Sequence, residues 1–177
     1  MMTDLPQRST RTRVLVIATA GTLAVTAYAA LGAVQILWLN PRAAVPGLAL
    51  TEIADEVAAA GESLGTPSVI AAMSLGPLLA LGVLIRAAVR TTVTPRGALL
   101  QYLGLLALGA FVYFAASFGP GMALADTFGI SGADYSPWAG PLYLTSLASI
   151  LALIAIAVDG VLRRRSEPGH NVSTSFR

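Results

Sequence analysis

The feature that most constrains this chain is a series of four apolar runs, at about residues 14–39, 67–89, 97–118 and 139–162. At about 1.5 Å per residue, roughly 20 apolar residues in a helix cross the hydrocarbon core of a bilayer. Lipid offers no water to unpaired backbone groups, so a run of this length reads as a helix that satisfies its own N–H and C=O groups. The expected fold is therefore all-α: an integral membrane four-helix bundle over 14–162. A short amphipathic helix is expected in its first external loop. Composition agrees, because 11% of the 177 residues are charged, where a soluble domain carries about 25%. The flanks are read as a cytoplasmic N-terminal segment, 1–13, and a disordered cytoplasmic tail, 166–177.

Charge sets the orientation. The chain has no lysine, and of its eleven Lys+Arg positions, all arginine, only Arg42 falls between runs one and two or between runs three and four. Basic loops stay in the cytoplasm, so both termini are expected inside and the segments 40–66 and 119–138 outside. Trp38 and Trp138 fall at the outer boundary, where amphipathic rings settle. The expected location is a cell membrane, and an all-arginine basic set is the composition of a GC-rich, bacterial genome. Because the arginines flank apolar runs, they read as topology signals and not as a nucleic-acid footprint. The lipid bilayer is the expected partner, with other membrane proteins or a second copy of the chain beside it. The small-x-small triplet Ala27-Tyr28-Ala29 would suit signal cleavage. The apolar run continues to Trp38, beyond the length of a signal core, and favours an uncleaved helix.

Residue absences narrow the chemistry. There is no cysteine, which excludes disulfides, thiolate metal sites, iron–sulfur clusters and thiol redox reactions. The one histidine, His170, lies in the tail, so a bis-histidine haem within one chain is excluded. No phosphate-cradling, nucleophile or metalloprotease motif is present. No catalytic residue, cofactor or metal is expected.

Local signals set the expected boundaries. Asn40-Pro41 should end helix one. Thr51 suits an N-cap, with Glu52, Asp55 and Glu56 in the first turns at the positive helix end. Leu50, Ile53, Val57, Ala60 and Leu64 recur at three- and four-residue spacing, which predicts an external amphipathic helix over about 51–64. Pro67 suits a first helical turn. Pro77 should kink the second span, and Gly119-Pro120-Gly121 should break the third. The two halves, each a helix, an acidic loop and a helix opening on proline, are compatible with duplication or with the likeness of any two hairpins.

Four groups of residues stand out as candidates. Ala72, Gly76 and Ala80 form a small-residue face, open to an oligomer contact or to packing inside the monomer. Arg86 and Asp159 are the ionisable residues inside apolar runs. They either pair between helices two and four, or separate into Arg86 snorkelling to headgroups and Asp159 pairing with Arg163. Gln35 and Gln101 sit near opposite faces, and Tyr28, Tyr102, Tyr113 and Tyr143 read as aromatic packing with hydroxyls near an interface. The outer acids Glu52, Asp55, Glu56, Glu62, Asp126 and Asp134 read as a solvated face, a calcium site being the sharper alternative. Asn171-Val172-Ser173 matches a glycosylation acceptor on the wrong side of the membrane. The functional expectation is a non-enzymatic structural or accessory subunit working through helix–helix contacts. A small-solute transporter or channel component, with Pro77 and the Gly119–Gly121 break as mobile points, is second. A membrane-embedded enzyme is third.

Overall fold

The computed structural model describes the backbone of residues 4–166 and the side chains of residues 9–164. It is all-helical, 83% helix, with no strand among the described residues. The first helix, α1 (Asp4–Val34), runs through a π-helical turn (Gln35–Leu39) into α2 (Asn40–Ala44). Then follow α3 (Leu50–Ala59), α4 (Thr66–Val89), α5 (Pro95–Phe128) and α6 (Ala139–Ser166). Four of these helical stretches, α1 continued through α2, α4, α5 and α6, are long and apolar enough to cross a membrane. Their outward faces carry Leu78, Leu79, Leu144 and Leu151 among others, and Phe111 is 72% exposed. So much large apolar surface on consecutive helical turns is what a lipid-facing side requires.

Two expected stops do not occur. Helix one was expected to begin at Val14 and end at Asn40-Pro41, but helical backbone extends from Asp4 to Ala44. A proline ring clashes with the carbonyl four residues back. Here the π turn widens the backbone just before Pro41, with Asn40 N–H donating to Gln35 O in place of the residue after it, so the ring is accommodated. Likewise α5 passes unbroken through Gly119-Pro120-Gly121 to Phe128, 34 residues in all. That length is about 50 Å, well beyond a roughly 30 Å hydrocarbon core. The loop between α5 and α6 is correspondingly short, with Gly129 in the left-handed region (φ 65°) closing α5. Pro77 lies inside an unbroken α4.

The start of α3 also differs in detail. Thr51 is not its cap. The helix opens at Leu50, and the Glu52 carboxylate accepts the Ala49 N–H at 2.6 Å. The helix ends at Ala59 and not at residue 64. Ile53 and Val57 are fully buried against Ala44, Ala123 and Leu124, with Leu64 packed at the edge and Leu50 half-buried.

The long helices pack with α1 and α5 in the middle. α4 lies against both, and α6 lies mainly against α5. Two further apolar clusters fill the interior. One joins Val14, Ala18 and Val25 of α1 to Ala80 and Ala87 of α4 and Tyr102 of α5. The other joins Ile36, Val69, Met73, Tyr113 and Leu142. Glycines let rings reach neighbouring backbone. A Cβ on Gly21 would stand 2.3 Å from Tyr102 Cγ, and one on Gly109 would stand 2.7 Å from Tyr28 Cζ.

Candidate functional site

Polar groups gather at three depths. In the middle, the Tyr102 hydroxyl donates to Ala80 O (3.1 Å) and lies 3.0 Å from Thr22 Oγ1, which also donates to Ala18 O (2.8 Å). One buried phenol thus fastens α1, α4 and α5. Beside it, Ser146 Oγ on α6 donates to Leu106 O (2.8 Å), accepts Ala110 N–H (3.0 Å) and lies 3.2 Å from the Tyr28 hydroxyl. The tyrosines read as interfacial from the sequence here act as cross-helix ties. Thr145 and Ser149 bond carbonyls one turn back, Pro141 O and Thr145 O. This is the local satisfaction common for hydroxyls in membrane helices.

At the end carrying α3 and the Gly129–Trp138 loop, the π turn supplies two amides. An i→i−5 bond makes residues five apart neighbours on one face, so Gln35 and Asn40 both reach that loop. Asn40 Oδ1 accepts the N–H groups of Tyr135 (2.7 Å) and Ser136 (3.3 Å). Gln35 is completely buried, and its Nε2 donates to Ser136 O at 3.4 Å. Its Oε1 has no partner among the described residues. Asp134 accepts the Tyr113 hydroxyl at 2.6 Å and the Tyr143 hydroxyl at 3.2 Å. Those two rings meet edge to face, with centroids 5.5 Å apart. Gly121 passes close under the loop, where a Cβ would stand 3.2 Å from Gly132 O. Arg42, at the same end, lies 5.9 Å from the centre of the Trp38 ring. The acids Glu52, Asp55, Glu56 and Glu62 at this end are exposed, and among the described residues no three potential metal ligands converge.

At the opposite end, arginines tie helices through carbonyls. Arg11 Nη2 donates to Ala88 O (2.7 Å), joining α1 to α4, and Arg96 Nη2 donates to Ile156 O (2.9 Å), joining α5 to α6. Arg163 Nε lies 2.9 Å from Asp159 Oδ2, one turn apart on α6. The alternative pairing of Asp159 with Arg86 is not formed. The physical reason is the packing order: α4 and α6 flank the α1 and α5 pair and make no extensive contact. Arg86 instead lines a cavity of about 410 Å³ with Arg90, Thr92, Val93, Thr94, Gly97 and Gln101. This cavity sits where α4 ends and α5 begins. Thr94 Oγ1 accepts the Gly97 N–H (3.1 Å) and Gln101 Nε2 donates to Gly97 O (3.0 Å), so the polar wall is held in place.

The small-residue face turns inward. Ala80 is fully buried, and a Cβ on Gly76 would stand 3.3 Å from Val25 of α1. Ala72 is half-buried and lines a groove of about 470 Å³ between α4 and α5, with Ser68, Ala115 and Gly119 nearby.

Reasoning from the sequence missed two arrangements, the meeting of Gln35 and Asn40 with the Asp134 loop and the Arg86–Arg90 cavity. The first carried a faint signal, since Gln35 and Asn40 both lie at the outer end of run one. The second carried a plain one, since Arg86 and Arg90 stand four apart at a helix end. No protein-family model matches the chain, and neither a curated protein nor a solved structure is found similar to it.

Proposed function

We propose that this chain is a multi-pass cell-membrane protein, with both termini cytoplasmic, that serves as a non-enzymatic structural or accessory subunit. The four long helices form one membrane bundle, α3 caps its outer end as an amphipathic helix, and the protein acts through helix–helix contacts. The observation that carries this reading is the interlocking of the interior. Tyr102 seated on Gly21 and Tyr28 on Gly109, with hydroxyls bonded across helices, make a body suited to holding a shape. Small residues on both walls of the α4–α5 groove, Ser68 and Ala72 facing Ala115 and Gly119, permit the close backbone approach that drives association in lipid.

The transport alternative draws on Pro77 and the Gly119–Gly121 segment as mobile points; α5 runs continuously through the second, and Pro77 lies inside α4. The deciding experiment is crosslinking in intact membranes, followed by extraction in mild detergent and identification of what copurifies. Recovery of a membrane-protein partner or a crosslinked homo-oligomer is the expected result. A lone monomer under both conditions overturns the reading.

A further inference from the structure

Arg86 and Arg90 stand one helical turn apart at the end of α4 and line one cavity. Like charges at this spacing repel. Among the described residues Arg163 and Asp159 form an ion pair, and no described carboxylate balances Arg86 or Arg90. The cavity's remaining polar walls are Thr92, Thr94 and Gln101, and its floor includes Gly97 in the first turn of α5. The positive end of the α5 dipole adds to the two formal charges. At about 410 Å³, the space falls within the roughly 300–1,000 Å³ of small-molecule sites. It also opens at the end of an apolar span, the depth at which lipid phosphates lie.

From these observations we infer that the Arg86–Arg90 cavity binds a phosphate group. Guanidinium forks match phosphate oxygens in pairs, and their strength there exceeds that of neutral hydrogen bonds. A phosphate supplies the counter-charge that no described residue supplies. Basic pockets between helix ends on the cytoplasmic side characteristically hold anionic headgroups. The phosphate can come from an anionic lipid or from a soluble phosphate, and the recognition chemistry is the same for both. The inference rests on the proposed membrane placement of the helices but not on the accessory-subunit role, because it concerns a ligand and not a protein partner.

The test uses the full chain, delipidated in a neutral maltoside detergent and placed in nanodiscs of phosphatidylcholine with or without phosphatidylglycerol. Thermal midpoints and lipid retention by native mass spectrometry are read. A second arm titrates inorganic phosphate against the protein in phosphatidylcholine alone, with sodium chloride matching ionic strength. Phosphatidylglycerol, inorganic phosphate or both should raise the midpoint. Affinity should fall about five-fold for Arg86→Gln or Arg90→Gln and roughly thirty-fold for the pair, at the usual contribution of one basic residue near a membrane surface.

Arg86→Lys/Arg90→Lys, which keeps the charge and loses the fork, should fall between wild type and the double glutamine variant. Arg164→Gln, an equal charge loss on the same side, should lower affinity by clearly less than either cavity variant. In maltoside detergent without lipid or added phosphate, Arg90→Gln should unfold no earlier than wild type, since it relieves a repulsion. A gain with lipid alone assigns the site to a headgroup, and a gain with inorganic phosphate assigns it to a soluble phosphate. No gain from either probe, or an equal loss in Arg164→Gln, overturns the inference.

Discussion

At the scale of single residues, the informative positions are glycines that admit a ring. Gly21→Ala forces a methyl against the Tyr102 ring, at 2.3 Å from Cγ before any relaxation. Overpacking of this kind costs about 1–3 kcal/mol. Thermal unfolding in detergent should show that loss. Tyr102→Leu in the same chain should recover part of it, at the expense of the bond to Ala80 O. Gly82→Ala, with nothing within 4 Å, should cost nothing and serves as the control. Non-additivity between Gly21 and Tyr102 is the decisive result, since residues in contact couple. The same logic separates the two pairings of Asp159. A double-mutant cycle of Asp159→Ala with Arg163→Ala should give a coupling of about 0.3–0.5 kcal/mol, the scale of an exposed pair one turn apart. The cycle of Asp159→Ala with Arg86→Ala should be additive, and measurable coupling there would contradict the packing order of α4 and α6. The Asp159–Arg163 pair was legible in the sequence because its partners lie four residues apart on one helix. The tyrosine–glycine contacts were not, because each joins different helices and depends on their rotation.

At the scale of elements, apolar periodicity located every long helix but misjudged where prolines end them. Pro41 and Pro120 both lie inside helical backbone. A π turn makes room for the first, and the second stands between two glycines in an element whose far end is covered by α3 and the outer loop. Tertiary contacts of this kind can carry a helix past a local breaker. The α3 stripe was legible because its spacing is local. Ile53 and Val57 are fully buried, and a ten-residue helix is too short to persist in water on its own. Burial of one such side chain contributes about 1.5–3 kcal/mol. Ile53→Asp should therefore release α3, and limited proteolysis should then cut between residues 45 and 66, where wild type resists. Rapid cleavage of wild type at that segment would show α3 to be undocked. In the neighbouring loop, one amide accepts two backbone donors. Asn40→Ala leaves the N–H groups of Tyr135 and Ser136 without Oδ1. Stranding donors at a largely buried site costs about 1–3 kcal/mol. Faster hydrogen exchange at Tyr135 and Ser136 should accompany the loss of stability, and unchanged exchange would mean that the loop is held by other contacts.

At the scale of the whole molecule, the arrangement of charge joins the fold to its membrane. Arg11, Arg86, Arg90, Arg96 and Arg163 all belong to the end where α4 gives way to α5 and α6 ends. Arg42 and both tryptophans belong to the other end. Basic residues resist transfer across a bilayer during insertion, so the arginine-rich end should remain cytoplasmic and the α3 end should face outward. The chain has no native cysteine, which allows single cysteines to report sidedness without background. Ser63 follows α3 and Ser131 lies in the loop between α5 and α6, and both are exposed. A third position, Ser173, lies outside the described residues. Ser63→Cys and Ser131→Cys should react with a membrane-impermeant maleimide in intact cells, whereas Ser173→Cys should react only after permeabilisation. A cysteine at Thr91, exposed in the turn between α4 and α5, should follow Ser173. Agreement between Thr91 and Ser173 matters more than either alone, because an even number of crossings must separate them. Labelling of Thr91→Cys in intact cells, with Ser63→Cys silent, would invert the orientation and place the Arg86–Arg90 cavity outside.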